Sequence, residues 1–356
     1  MTEDRVEKPR RPVLQVAARW LVTLLVFWFV FVSLLPRFID YREVVQTIAT
    51  LHPLEAGALL LFTAAHSLAQ SAVYTRVIPG LGFWPGWQAY EASGTVASFA
   101  PPGVDMAVRY GMYLSFGVPA RDAGAGFVLS GIFTIGVKFV LPVFALLLVL
   151  FSFQYTRGAT IVTIIAVADI AVALAVIVLR REDLARHLGR LVGGWYNQLL
   201  AGRWNLEPVE RPGQKLVDFR DQMISTLGKV WRRAALGQLG AEAASFIVLL
   251  LALRFLGVSS LEANLGLVFV AYAVGLIGAL LPLLPQGLGA VELVYVLVIA
   301  GTEQSELADT VMAAAFTHRI FTWFLPILVG IVPLLMWRRR VRLEEAISTS
   351  ADVGDG

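Results

Sequence analysis

The sequence predicts an all-α polytopic integral membrane protein with about six to eight transmembrane helices. Two Gly/Pro-broken re-entrant hairpins are expected within pseudo-symmetric, inverted repeats. Three observations lead there. Of 356 residues, 57% are hydrophobic and only 15% charged, well below the roughly 25% charge of a soluble domain. Charge-poor apolar runs recur at Ala17–Leu35, Leu54–Val73, Ala123–Phe151, Ala159–Leu179, Ala241–Leu253, Leu265–Leu281 and Ala313–Trp337. A run of about 20 apolar residues matches a hydrocarbon layer about 30 Å thick, and so many runs exceed what one buried core needs. Finally, two of the apolar stretches are broken by proline and glycine in the same order.

The elements follow from these runs and from the charges between them. Positive clusters lie at Arg5–Arg11, Arg180–Arg190, Lys229–Arg233 and Arg338–Arg342, whereas Thr302–Asp309 carries Glu303, Glu306 and Asp309 without Lys or Arg. The positive-inside rule then puts both termini and the central polar segment in the cytoplasm of a cell-membrane protein. The expected organisation is a basic N-terminus (1–12), a first transmembrane half (13–180), an amphipathic cytoplasmic connector (181–232), a second half (233–337) and a C-terminal tail (338–356). The first apolar run is too long for a signal peptide and lacks a small-residue cleavage site, so it reads as a retained span. In the connector, Leu188, Leu191, Val192, Trp195 and Leu199 share one helical face, the pattern of a helix lying in the interface. Tyr41, Val44, Val45 and Ile48 suggest a similar helix on the outer side.

The breaks carry the repeat. "APPGVDMAVRY" (Ala100–Tyr110) precedes Gly117 and Pro142, and "LPQGLGAVELV" (Leu284–Val294) precedes Gly301 and Pro326. Such interrupted segments in corresponding positions of two halves point to a transporter's binding site. Pro101, Pro102 and Gly103 form the first set of hinges; Pro285, Gly287 and Gly289 form the second. If each segment dips in and returns as a helical hairpin, the spans are about Val13–Pro36, Leu54–Ile78, Pro119–Phe151, Gly158–Arg180, Arg233–Leu256 and Ala308–Trp337, and the repeats are inverted. A full span over Glu262–Leu281 would instead make them parallel.

Charges inside these stretches are the candidate substrate path: Arg109, Asp105, Glu91, Glu292, Arg319 and His318. A charge at such depth is costly unless paired or hydrated, which makes each one a functional candidate. Asp105 and Arg109 are four apart, on one helical face. Lys138 lies close enough to the end of its run to snorkel. Backbone that leaves helical geometry at membrane depth must line a cavity or be buried in protein, and a helix restarting after Gly289 offers its N-terminus to an anionic group.

Chemistry of other kinds leaves no mark. Cysteine is absent, and the four histidines (His52, His66, His187 and His318) do not have metal-ligand spacing. No Walker, HExxH or GxSxG pattern occurs, so no catalytic residue, cofactor or metal is assigned.

"PPGVDMAVR", "PQGLGAVE" and "RIFTWFLP" together resemble the flippase-like family named for the transmembrane region of lysylphosphatidylglycerol synthase, over about Leu54 to Trp337. That family has Pro-Gly ending in Gly-Glu-x-x-Arg, then Pro-x-Gly-x-Gly-x-x-Glu, then an Arg before W-x-x-P. The second motif is matched at Pro285, Gly287, Gly289 and Glu292, and the third at Arg319, Trp323 and Pro326. In the first, Asp105-Met106 replaces Gly-Glu. The resemblance implies a stand-alone transmembrane unit, without the synthase domain, that moves a lipid or lipid-linked headgroup between leaflets. Its implied partners are a membrane lipid with an anionic or lipid-linked headgroup and an enzyme that makes that lipid, with no nucleic acid. Two other classes stay open: an integral-membrane enzyme or accessory subunit of envelope-lipid or lipid-linked glycan synthesis, and an ion-coupled solute transporter.

Overall fold

The computed structural model describes residues 46, 49–100, 103–152, a few positions between 183 and 194, and residues 211–279, 287–301 and 305–354. Among these every regular element is a helix. Hydrocarbon dictates that outcome, because a helix satisfies its own backbone N–H and C=O groups where no water is available.

Four helices are long and apolar enough to cross a bilayer: Pro53–Val77, Ala120–Val149, Val230–Phe255 and Glu306–Val341. They match four of the six expected spans to within a few residues. Val13–Pro36 and Gly158–Arg180 lie outside the described residues, as does most of both predicted interfacial helices.

The first half begins with α1 (Pro53–Val77), whose His52 side chain caps the helix while Glu55 accepts from the His52 N–H, a reciprocal pair that satisfies two orphan donors. α2 (Phe83–Phe99) and α3 (Val104–Ser115) follow, then α4 (Ala120–Ser152). In the second half, α5 (Pro212–Phe255) runs without a break from the basic connector into the apolar region. Next come α6 (Leu265–Gly278), capped by Asn264, and α7 (Ala290–Ile299). Last is α8 (Glu306–Arg319), a π-helical turn over Ile320–Phe324, and α9 (Leu325–Gly354).

The π turn has a local cause. Pro326 has no N–H to donate to the carbonyl four residues earlier, and the Thr322 hydroxyl donates to the His318 carbonyl at 2.7 Å. Both loosen the regular ladder at this point. The wider turn falls directly after Arg319.

α1 and α5 pack along one another at the centre, α2 lies against α9, and α6 lies against α4 and α7. α1 and α5 are antiparallel: His66 meets the Ala241 carbonyl, whereas Val73, further along α1, faces the earlier Gly237. Small residues make these approaches close, as packing between helices in lipid demands. Ala313, Ala314 and Ala315 are all fully buried. Leu61, Ile132, Ile135, Phe144, Leu147, Val332 and Met336 are exposed, forming the apolar exterior that a bilayer covers.

Candidate functional site

The interior of this bundle is polar where its helices converge. Glu292, in the first turn of α7, is completely buried. Gly287 and Gly289 precede it with φ of +66° and +85°, conformations that glycine adopts without steric cost. This reversal lets the helix restart with the Glu292 carboxylate folded back on its own N-terminus, accepting from the Gly289 N–H at 2.6 Å. Its other oxygen pairs with the Nε of Arg319 on α8. Both partners are donors, one cationic and one at a helix N-terminus, so the carboxylate charge is matched on both oxygens.

His318, the preceding residue, is also buried, with its ring edge-on to Tyr272 of α6 and Tyr295 of α7. Its Nε2 lies 3.3 Å from the Ser245 hydroxyl of α5, and its Nδ1 has no partner among the described residues.

The first half holds its cation differently. Arg109 on α3 donates from Nε to the Ser93 hydroxyl of α2 at 2.8 Å and from Nη1 to the Tyr74 hydroxyl of α1 at 2.9 Å. The guanidinium also lies 5.1 Å from the centre of the Tyr74 ring, a cation–π arrangement. No carboxylate pairs with it among the described residues. Asp105 shares its helical face but accepts from the Gly103 N–H at 3.2 Å, serving its own helix N-terminus. Gly103 has φ of +93°. Glu91, buried on α2, accepts a short hydrogen bond from the Ser67 hydroxyl of α1, and that hydroxyl receives the Trp87 indole N–H at 2.8 Å.

Every predicted path residue is therefore described. The helices bring Glu292, Arg319 and His318 together between α7 and α8, while Arg109 and Glu91 meet residues of α1 and α2 instead. Among the hinges, Gly103, Gly287 and Gly289 are described; Pro101, Pro102 and Pro285 lie outside the described residues.

Several residues that join the two clusters were not singled out by sequence reasoning. Glu242 of α5 accepts from the Tyr272 hydroxyl at 2.6 Å and from the Gln238 amide at 3.1 Å. His66 of α1 contacts the Ala241 carbonyl and, at 3.5 Å, the Tyr90 hydroxyl. Tyr90 stacks at 5.6 Å on Tyr74, the partner of Arg109. Lys138 of α4 faces inward, within electrostatic reach of Glu242 and Arg319. The signal for Glu242 was a carboxylate inside an apolar run, the same criterion that selected Glu292. Tyr272 and Ser245 carry no such mark, because an isolated hydroxyl in a hydrophobic run is unremarkable until its neighbour is known.

A bundle of helices that exposes apolar side chains outward and gathers charged ones inside is a multi-pass membrane protein. The model of the lysylphosphatidylglycerol synthase transmembrane region matches residues 16–330. The chain belongs to that family. Comparison with curated proteins gave no match.

Proposed function

We propose that the protein moves a phospholipid or lipid-linked headgroup between the leaflets of the cell membrane, with Arg109 receiving the anionic part of the headgroup. The observation that carries this reading is the asymmetry between its two inner arginines. Arg319 is neutralised by Glu292. Arg109 is held by two hydroxyls and a ring face, with no carboxylate paired to it among the described residues. A half-buried guanidinium in that state is suited to a phosphate, which it binds as a fork.

The architecture fits a path across the bilayer. α2 and α3 are 17 and 12 residues long, and α6 and α7 are 14 and 10. At 1.5 Å per residue none reaches about 30 Å, the longest being about 26 Å. Each pair therefore reads as a re-entrant hairpin that enters and returns on one side. The halves correspond element by element: long helix, positive-φ Gly80 or Gly257, short helix, break, positive-φ Gly103 or Gly289, short helix, positive-φ Gly117 or Gly301, long helix. Because the counterparts α1 and α5 run antiparallel, the repeats are inverted, and the hairpins open to opposite sides. A headgroup can then pass between them while its tails stay in lipid. With the basic segments inside, the hairpin carrying Arg109 opens to the cytoplasm. The protein acts as a transporter beside an enzyme that makes its lipid.

The test is leaflet-resolved lipid analysis of cells lacking the protein, complemented with wild type or with Arg109→Lys. Wild type restores the distribution of an anionic or polyprenyl-linked lipid and the variant does not. If deletion leaves the distribution of every such lipid unchanged, the reading fails.

A further inference from the structure

Glu292 and Glu242 are both buried, yet their surroundings are chemically opposite. The partners of Glu292, a guanidinium and a backbone N–H, donate and never accept, so they suit only a carboxylate anion. The partners of Glu242 are a tyrosine hydroxyl and a glutamine amide, and each can reverse its role. Gln238 now donates its NH2 to Glu242 Oε1, and its carbonyl oxygen, buried, has no partner among the described residues. A half-turn of the amide would present that oxygen to a carboxylic acid O–H. The Tyr272 hydroxyl can likewise donate to a carboxylate or to the C=O of an acid. No cation pairs directly with Glu242 among the described residues.

A path leads to it. The Ser245 hydroxyl lies near the Tyr272 hydroxyl and contacts His318 Nε2, and the His318 ring stands edge-on to Tyr272. We propose that Glu242 is a proton-binding site, reached through His318, Ser245 and Tyr272. The proton balance closes with the His318 tautomer that carries its hydrogen on Nε2. An incoming proton from water binds the bare Nδ1, and the Nε2 proton passes to the Ser245 oxygen. The Ser245 proton passes to the Tyr272 oxygen, and the Tyr272 proton to Glu242 Oε2. Each relay group gains one proton and gives one, and the only net change is that carboxylate becomes carboxylic acid.

The groups that face this site from the packed helices are His66 of α1, Tyr90 of α2, Lys138 of α4, Tyr272 of α6, Tyr295 of α7 and, on α8, His318 with Arg319 beside it. Lys138 stands within electrostatic reach of both Glu242 and Arg319, so protonation of Glu242 would change the charge balance near the Arg319–Glu292 pair. Glu91 is the rival carboxylate. Its one hydroxyl partner, Ser67, is already occupied by Trp87, which is a donor only, so no comparable relay extends from it.

As a source of energy for lipid movement, this site rests on the function proposed above; as a proton site it stands alone, and its test measures only the proton. The full chain in lipid nanodiscs is titrated with acid while the C=O stretch of protonated carboxylic acids is followed by infrared difference spectroscopy. A band is expected that grows reversibly as pH falls, persists in Glu91→Gln and Glu292→Gln, and is absent in Glu242→Gln. Tyr272→Phe removes the hydrogen bond to the acid and shifts the band to higher frequency, and Ser245→Ala slows its appearance after a pH jump several-fold. The proposal is overturned if wild type gives no band, if Glu242→Gln retains it, or if folded Tyr272→Phe leaves its frequency unchanged. Lipid movement enters none of these readings, so failure of either idea leaves the other standing.

Discussion

Two arginines in one interior, only one of them paired with a carboxylate among the described residues, predict different responses to substitution. Arg109 meets the Ser93 and Tyr74 hydroxyls with two fixed donors and its plane with the Tyr74 ring. Lysine keeps the charge but offers neither the fork nor the plane. Arg109→Lys should therefore abolish most lipid movement in a reconstituted leaflet assay, while thermal unfolding in the same detergent stays close to wild type. Retention of full activity would make Arg109 a structural residue. For Glu292 the expectation reverses, since removing one partner of a buried ion pair leaves an uncompensated charge that costs about 3–5 kcal/mol. Glu292→Gln should lower the thermal midpoint clearly. Adding Arg319→Gln should recover more than half of that loss, because the orphaned charge is then gone. If the two losses simply add, the pair contributes no coupling.

At the scale of elements, the restart of a helix inside an apolar segment depends on backbone that only glycine tolerates, but the two restarts differ in how tightly they are packed. At Gly103 a Cβ would meet nothing within 4 Å, so Gly103→Ala carries only the positive-φ penalty, about 1–2 kcal/mol. At Gly287 a Cβ would run into the backbone of Gly278 and Ala279 at the end of α6. Gly287→Ala adds overpacking to the φ penalty and should cost about 2–5 kcal/mol. Thermal unfolding of the two variants, measured side by side, tests the ranking; equal losses would mean that the end of α6 yields freely. Gly330 makes another close contact, its Cα lying against the Glu91 carbonyl and the Thr95 hydroxyl of α2. That approach seats α9 against α2, where Thr95 donates to the Ile327 carbonyl at 2.9 Å. Nothing along the chain marks it, since a glycine in an apolar run is common.

The whole molecule makes one further prediction. If α1 and α5 are counterparts packed antiparallel, the two halves insert in opposite senses, and the segment after α7 faces away from the basic segments. On this cysteine-free background, single cysteines at Thr2, Gln198 and Gly356 should be reached by an impermeant thiol reagent only from the cytoplasmic side, and Gln304→Cys only from the outside. Labelling of Gln304→Cys from within alone would overturn both the orientation and the inverted pairing.

What the sequence determined by itself is the solvent and the spacing. The apolar runs fixed four spans to within a few residues, because a 30 Å layer admits few lengths, and the Gly/Pro breaks marked where the helices of each half stop and restart. The intramembrane charges named Glu292, Arg319, Arg109 and Glu91 as inner residues, because lipid penalises charge regardless of fold. The tertiary structure alone decided which charges neutralise each other. Helical spacing brought Asp105 to the face of Arg109, yet Asp105 serves the Gly103 N–H and Arg109 turns to α1 and α2. It also decided that Glu242 of α5 meets Tyr272 of α6 and that Ser245 of α5 meets His318 of α8. Pairing across helices depends on the rotation and register of each span about its axis, and close packing of small residues sets these, which no periodicity along a single helix records.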